Sequence, residues 1–151
     1  MLREIDRIII RGLTPADLEE IAALEKSCFS DPWSKENFQE ELQHQFTIPL
    51  VVEADQKIVG YACLWNVDGQ MEIANFAVAL DYRRKGIGRM MMERVILESV
   101  NRGCSSVILS VRESNLSARN LYHEFGFAEI SRRKRYYRLP VEDAIIMVKN
   151  L

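Results

Sequence analysis

The segment Val78-Ala79-Leu80-Asp81-Tyr82-Arg83-Arg84-Lys85-Gly86-Ile87-Gly88-Arg89 constrains this chain more than any other. A β-type run leads into it and an amphipathic helical pattern leaves it, with glycines and cations at the join. A strand–loop–helix join of this kind leaves unpaired amides at the helix N-terminus, where the helix dipole adds partial positive charge. Basic residues in that first turn oppose the dipole and ask for a compensating anion. Gly86 and Gly88 would let a bulky pyrophosphate approach the backbone, while Arg83, Arg84, Lys85 and Arg89 supply counter-charge. The loop has neither the GK[ST] of a P-loop nor a full G-x-G-x-x-G. A plain structural turn with a solvated basic face is the alternative reading.

On either side of the loop the patterning is regular. Glu4 to Arg11 reads as a strand stopped by Gly12, and Thr14-Pro15 starts a helix with Leu18, Ile21, Ala22 and Leu24 at helical spacing. Ser34 caps a second helix, with Phe38 and Leu42 on one face. Thr47 to Glu53, Ile58 to Trp65 and Met71 to Ala79 read as an antiparallel meander, with turns at Asp55-Gln56-Lys57 and Asp68-Gly69. A long helix then runs from Gly86 to about Arg102, stopped by Gly103. After it come a strand over Val107–Arg112, a helix over Leu116–Phe125, and strands over Phe127–Tyr137 and Ala144–Val148. This order predicts an α/β (α+β) fold: a mixed, mostly antiparallel sheet of about seven strands flanked by about four helices. The 151 residues fit one domain, residues 1–151.

Composition narrows the function classes. No apolar run approaches the ~18 residues of a membrane span, and Met1-Leu2-Arg3-Glu4 lacks a signal-peptide start, so a cytoplasmic protein without membrane partners is expected. Cys28, Cys63 and Cys104 include no Cys-x-x-Cys pair, and the only histidines are His44 and His123, so neither a disulfide framework nor a metal is expected. Charge is polarised. Thr14 to Gln45 holds eight acids (Asp17, Glu19, Glu20, Glu25, Asp31, Glu36, Glu40, Glu41) against Lys26 and Lys35. Bases gather at Arg83–Arg89 and at Arg132, Arg133, Lys134, Arg135 and Arg138. The second cluster is interleaved with Tyr136 and Tyr137, as in single-strand nucleic-acid binders. It is short, however, and the chain is net −2, so no nucleic-acid partner is expected.

Arg83-x-x-Gly86-x-Gly88 after Phe76-Ala77-Val78 resembles motif A of the GNAT superfamily of N-acetyltransferases. Asn115-x-x-Ala118-x-x-Leu121-Tyr122-x-x-x-Gly126-Phe127 resembles its motif B. The likeness extends over nearly the whole chain to one branch, the bacterial RimI-type ribosomal-protein-alanine N-acetyltransferases. Its marks are Asp31-Pro32-Trp33-Ser34 with Phe38, Val111-Arg112-x-Ser114-Asn115, and Tyr136-Tyr137 followed by Glu142-Asp143-Ala144-Ile145-Ile146-Met147.

This resemblance implies acetyl-CoA as cosubstrate. Backbone groups of Phe76, Ala77 and Val78 would hold the pantetheine arm, residues Arg83, Arg84, Lys85, Gly86, Ile87, Gly88 and Arg89 the pyrophosphate, and Asn115 would also touch the cosubstrate. Tyr122 stands where the family has its general acid, although its spacing with Leu121 and Phe125 equally fits a packed core residue. The implied substrate is the N-terminal alanine of ribosomal small-subunit protein eighteen. The acidic segment would suit such a basic partner, and a monomer is expected, with a dimer as the alternative.

One position departs from the family. Its general base is a glutamate two residues before the arginine of Leu-Glu-Val-Arg, and here the segment reads Leu109-Ser110-Val111-Arg112. A serine hydroxyl is no base at neutral pH. Glu72 is the preferred substitute, acting through water, and Glu113 is the alternative. Making a substrate α-amine neutral at pH 7 costs only about 1 to 1.4 kcal/mol, against about 4.6 for a lysine, so a weak base suffices for an N-terminus. Cys63 or Cys104 carrying the acetyl group is disfavoured, because free cysteines are usually small core residues. The rivals are an acetyltransferase for other N-termini or small amines, and an acetyl-CoA-binding protein weakened at Ser110.

Overall fold

The computed structural model describes residues 7–151, and the expected first-strand positions Glu4, Ile5 and Asp6 lie outside them. Strand β1 (Ile8–Gly12) is followed by a 3₁₀ turn and helices α1 (Leu18–Cys28) and α2 (Lys35–Glu41). Strands β2 (Thr47–Ala54), β3 (Lys57–Val67) and β4 (Gln70–Val78) then lead to helix α3 (Ile87–Asn101). Strand β5 (Ser106–Arg112), helix α4 (Leu116–Glu124) and strands β6 (Ala128–Tyr137) and β7 (Glu142–Asn150) complete the chain. The seven strands form one sheet in the order β1-β2-β3-β4-β5-β7-β6, antiparallel throughout except for β4 with β5. The expected fold class stands.

Each face of the sheet buries its own core. Leu50, Val52, Leu64, Met71, Val107 and Leu109 pack with Ile87, Met91 and Val95 of α3 and Tyr122 of α4. On the opposite face, Val51, Ile58, Tyr61, Cys63 and Ala77 pack against Leu18 and Ile21 of α1 and Phe38 of α2. Phe38 is fully buried, its ring 5.3 Å from Trp33 and 5.6 Å from Tyr61.

Helix starts follow local chemistry. Ser34 Oγ accepts from Asn37 N, and the Asn37 side chain accepts from Ser34 N, closing a reciprocal cap on α2. Thr14 is the N-cap of the 3₁₀ turn Pro15–Asp17 that leads into α1, with Pro15 at its first position. Its hydroxyl donates to Asp17, whose carboxylate also takes Thr14 N and the Arg11 guanidinium, so the entry to α1 is an ion-pair knot. Arg11 holds the Asp17 carboxyl down to about 2.

Two irregularities in β4 set up the rest. Cys63 pairs with Asn75 and Leu64 with Ile73, leaving Ala74 as an unopposed bulge. A bulge shifts the strand's alternation by one. Hence Ile73 packs in the α3 core while Ala77, four residues on, packs against α1. In addition, β4 pairs with β5 only over Gln70–Ile73 and Ser106–Leu109, although both strands continue.

Candidate active site

Beyond Ile73 and Leu109 the ladder lapses, and β4 (residues 74–78) and β5 (residues 110–112) open an edge inside the sheet. Backbone groups on this edge must find partners elsewhere. Two of them bond this chain's own side chains: Phe76 N donates to Asn75 Oδ1 at 2.9 Å, and Val78 O accepts Arg83 Nε at 3.0 Å. The edge suits a ligand that can offer hydrogen bonds of the kind a missing strand would.

At the C-terminal end of β4 the chain turns into α3 through Gly86, the helix N-cap, with φ of 84°. This left-handed conformation is where glycine is required. Gly86 has no side chain with which to cap, so the first-turn amides of α3 stay available. Gly88 lies in the first turn of α3, where a Cβ would come to 3.4 Å from Leu121 Cδ2 of α4, an ordinary contact distance. Among the expected cations, Arg89 pairs with Glu124, Arg83 folds onto Val78 and Lys85 sits 5.2 Å from the Tyr82 ring centroid. Ile87 is buried as the first residue of α3.

Tyr122 projects from α4 into the α3-side core and is 6% exposed. Its ring meets Phe76 edge-on at 6.2 Å and Phe127 at 5.8 Å. Among the described residues nothing hydrogen-bonds its hydroxyl. Burial, helped by Tyr137, pushes the phenol well above its ordinary range, so it stays protonated. Asn115 is the N-cap of α4, its Oδ1 accepting from Ala118 N at 3.2 Å.

Glu72 and Ser110 are exposed, and strand alternation turns both to the face that α1 and α2 cover. They are separated by one row, since Glu72 pairs with Ile108. Glu113 does not point freely to solvent: it accepts both terminal nitrogens of Arg132, at 2.7 and 2.9 Å. Nor are Cys63 and Cys104 placed as nucleophiles. Both are buried, and burial pushes the Cys63 thiol well above its usual value.

A hairpin closes one side. Arg112 donates to Arg138 O at 2.6 Å, Pro140 O at 2.9 Å and Glu142 Oε1 at 3.2 Å, and lies 4.6 Å from the Tyr137 ring centroid. Glu142 also accepts from Ser114 N, so the end of β5 is knitted to the β6–β7 turn. From the other side, Arg138 reaches Asp31 in the connection between α1 and α2.

The acidic segment is less available than its charge count implied. Asp17, Glu25 and Glu41 are buried, Glu19 pairs with Lys35, Glu20 takes Ile58 N and Asp31 takes Arg138. Of the eight, only the Glu36 and Glu40 carboxylates make no hydrogen bond or ion pair among the described residues. Glu41 accepts from Trp65 Nε1 at 2.7 Å, and burial raises its carboxyl. A helical line offered a signal for the buried members: Leu18, Ile21 and Glu25 share one face of α1, where an acid interrupts an apolar stripe.

The Acetyltransferase (GNAT) family matches residues 18–127, most of this chain. The chain belongs to that family. It is an acetyltransferase. It is 34% identical over 137 residues to the [Ribosomal protein bS18]-alanine N-acetyltransferase of Salmonella typhimurium, covering 89% of this chain and 92% of the relative. The crystal structure of the ribosomal-protein-S18-alanine N-acetyltransferase from Escherichia coli superposes with a TM-score of 0.89 and 32% identity, covering 95% of this chain and 94% of that one. A GNAT family acetyltransferase from Elizabethkingia anophelis with acetyl-CoA bound shares the fold, with a TM-score of 0.77, 24% identity, and 97% and 99% coverage.

Proposed function

We propose that this acetyltransferase is an N-α-acetyltransferase using acetyl-CoA, with the N-terminal alanine of ribosomal protein bS18 as its substrate. The observation that carries the reading is the opened sheet edge, with a protonated buried phenol on one face and carboxylates on the other. An amine and a leaving thiolate need opposite proton traffic, and the two faces separate it. The named activities of the relatives in Salmonella typhimurium and Escherichia coli support the substrate class.

The residues fit the cosubstrate. Strand-edge groups of Phe76, Ala77 and Val78 suit the amides of a pantetheine arm. Amides at Gly86, Ile87, Gly88 and Arg89, with Arg83, Arg84 and Lys85 beside them, suit a pyrophosphate. Asn115 keeps its Nδ2 for the same ligand while its Oδ1 caps α4. Acetyl-CoA supplies the activated acetyl group. Tyr122 donates its phenolic proton to the departing sulfur, and Glu72 removes the amine proton through water, in the place of the glutamate that Ser110 replaces. An N-terminus already largely neutral near pH 8 makes small demands on that base.

The test is acetyl transfer from acetyl-CoA to short peptides, read by mass spectrometry. Acetylation of an Ala-starting bS18 peptide at its α-nitrogen, with internal lysines untouched, is the expected result. Acetylation of lysine side chains or small amines in preference would overturn it.

A further inference from the structure

Glu25 is 2% exposed and, among the described residues, meets no cation. Its Oε1 accepts from the Tyr61 hydroxyl and from Asn75 Nδ2, the latter at 2.9 Å, and its Oε2 accepts from Trp33 N at 2.9 Å. A buried carboxylate is costly unless donors saturate it. Leu18 and Ile21 on the same helical face show that apolar residues satisfy the packing there. What the carboxylate adds is a connection, for its three donors come from three separate segments. Trp33 belongs to the connection between α1 and α2, Tyr61 to β3, and Asn75 follows the bulge of β4.

The connection continues past Asn75. With Nδ2 committed to Glu25, the Asn75 amide has one orientation, and Oδ1 takes Phe76 N on the strand edge. Phe76 in turn packs edge-on against Tyr122. We propose that Glu25 is a positioning residue that locks the Trp33 segment and the cosubstrate-binding edge of β4 into a single geometry. The inference rests on the reading of that edge as the acetyl-CoA site. Tyr61 loads the carboxylate through its hydroxyl alone, so removing that oxygen leaves the Glu25 bonds to Trp33 N and Asn75 in place, which makes it the internal control.

The experiment measures CoA affinity by calorimetry, together with melting temperature, on the full chain. Glu25→Ala and Asn75→Leu should each raise the CoA Kd about tenfold, equivalent to about 1.4 kcal/mol. The double variant should be no worse than Asn75→Leu alone, because both changes act through one bond. Tyr61→Phe should lower the melting temperature while leaving the Kd within about twofold, a difference too small to reflect a lost hydrogen bond. Should Glu25→Ala fail to fold, the contrast between Asn75→Leu and Tyr61→Phe still decides. A wild-type Kd in Asn75→Leu, or a Tyr61→Phe variant as weak as Asn75→Leu, overturns the proposal. A wild-type protein that binds no CoA overturns both this and the functional reading. One that binds CoA yet acetylates no Ala-starting peptide defeats only the choice of acceptor.

Discussion

Changing Tyr122 to Phe removes one oxygen and leaves the ring contacts with Phe76 and Phe127 in place. The two consequences differ in size. Because nothing among the described residues bonds the hydroxyl, its loss should cost the fold less than the ~1 kcal/mol of an ordinary hydrogen bond. If the phenol protonates the leaving thiolate, kcat should fall by the ~10²- to 10⁴-fold that positioned acid catalysis supplies, about 2.7 to 5.5 kcal/mol of barrier. Burial has already raised the phenol above its normal range, so the proton stays on through pH 9 and the wild-type rate should show no decline from tyrosine ionisation there. The assay pairs initial rates against pH with thermal melts and CoA binding for both proteins. A cooperatively folded Tyr122→Phe variant with wild-type kcat returns the residue to the core. So does a variant whose only defect is weakened CoA binding.

For the base, Glu72→Gln should lower kcat at pH 6.5 to 7 and Ser110→Glu should raise it, both differences shrinking above about pH 8, where an α-amine is mostly neutral. A Glu72→Gln profile superimposable on wild type from pH 6 to 9 would exclude Glu72. Asp17→Asn should cost about 2 kcal/mol at pH 7, since Arg11 holds that carboxyl down to about 2. A depressed carboxyl contributes fully above its unfolded pKa and loses that contribution as the pH falls through its folded value. Urea melts should therefore converge for variant and wild type as the pH drops from about 5 towards 2, and an unchanged gap at pH 2.5 would refute the assignment.

Elements whose signals are local read clearly from the sequence. The meander β2–β4 and helix α3 begin and end within a residue or two of their patterns, because alternation and glycine stops are near-neighbour properties. Strand β7 runs longer than the expected Ala144–Val148, as it gains ladders on both sides, from β5 and β6. What stayed hidden depends on partners far along the chain. Counting charge treats Glu25 as solvated; its place on the apolar face of α1 marks it as inside, but its partners Tyr61 and Asn75 lie on strands far along the chain. The bulge at Ala74 and the lapse in pairing with β5 are likewise properties of two strands together. That the missing Cβ of Gly88 faces Leu121 is also a matter of where α4 lies.

A hydrogen-bonded ladder holds neighbouring strands about 4.8 Å apart whatever their side chains. Past Ile73 and Leu109 that ruler is absent between β4 and β5. What links the two sides there is side-chain packing over one face of the sheet, where Phe76 of β4 meets Tyr122 of α4 and Tyr122 meets Phe127. Width at this gap is thus written in side-chain volume, a quantity that single substitutions alter in small steps. The flanking antiparallel ladders, fixed by backbone geometry, stay unchanged while the gap is retuned.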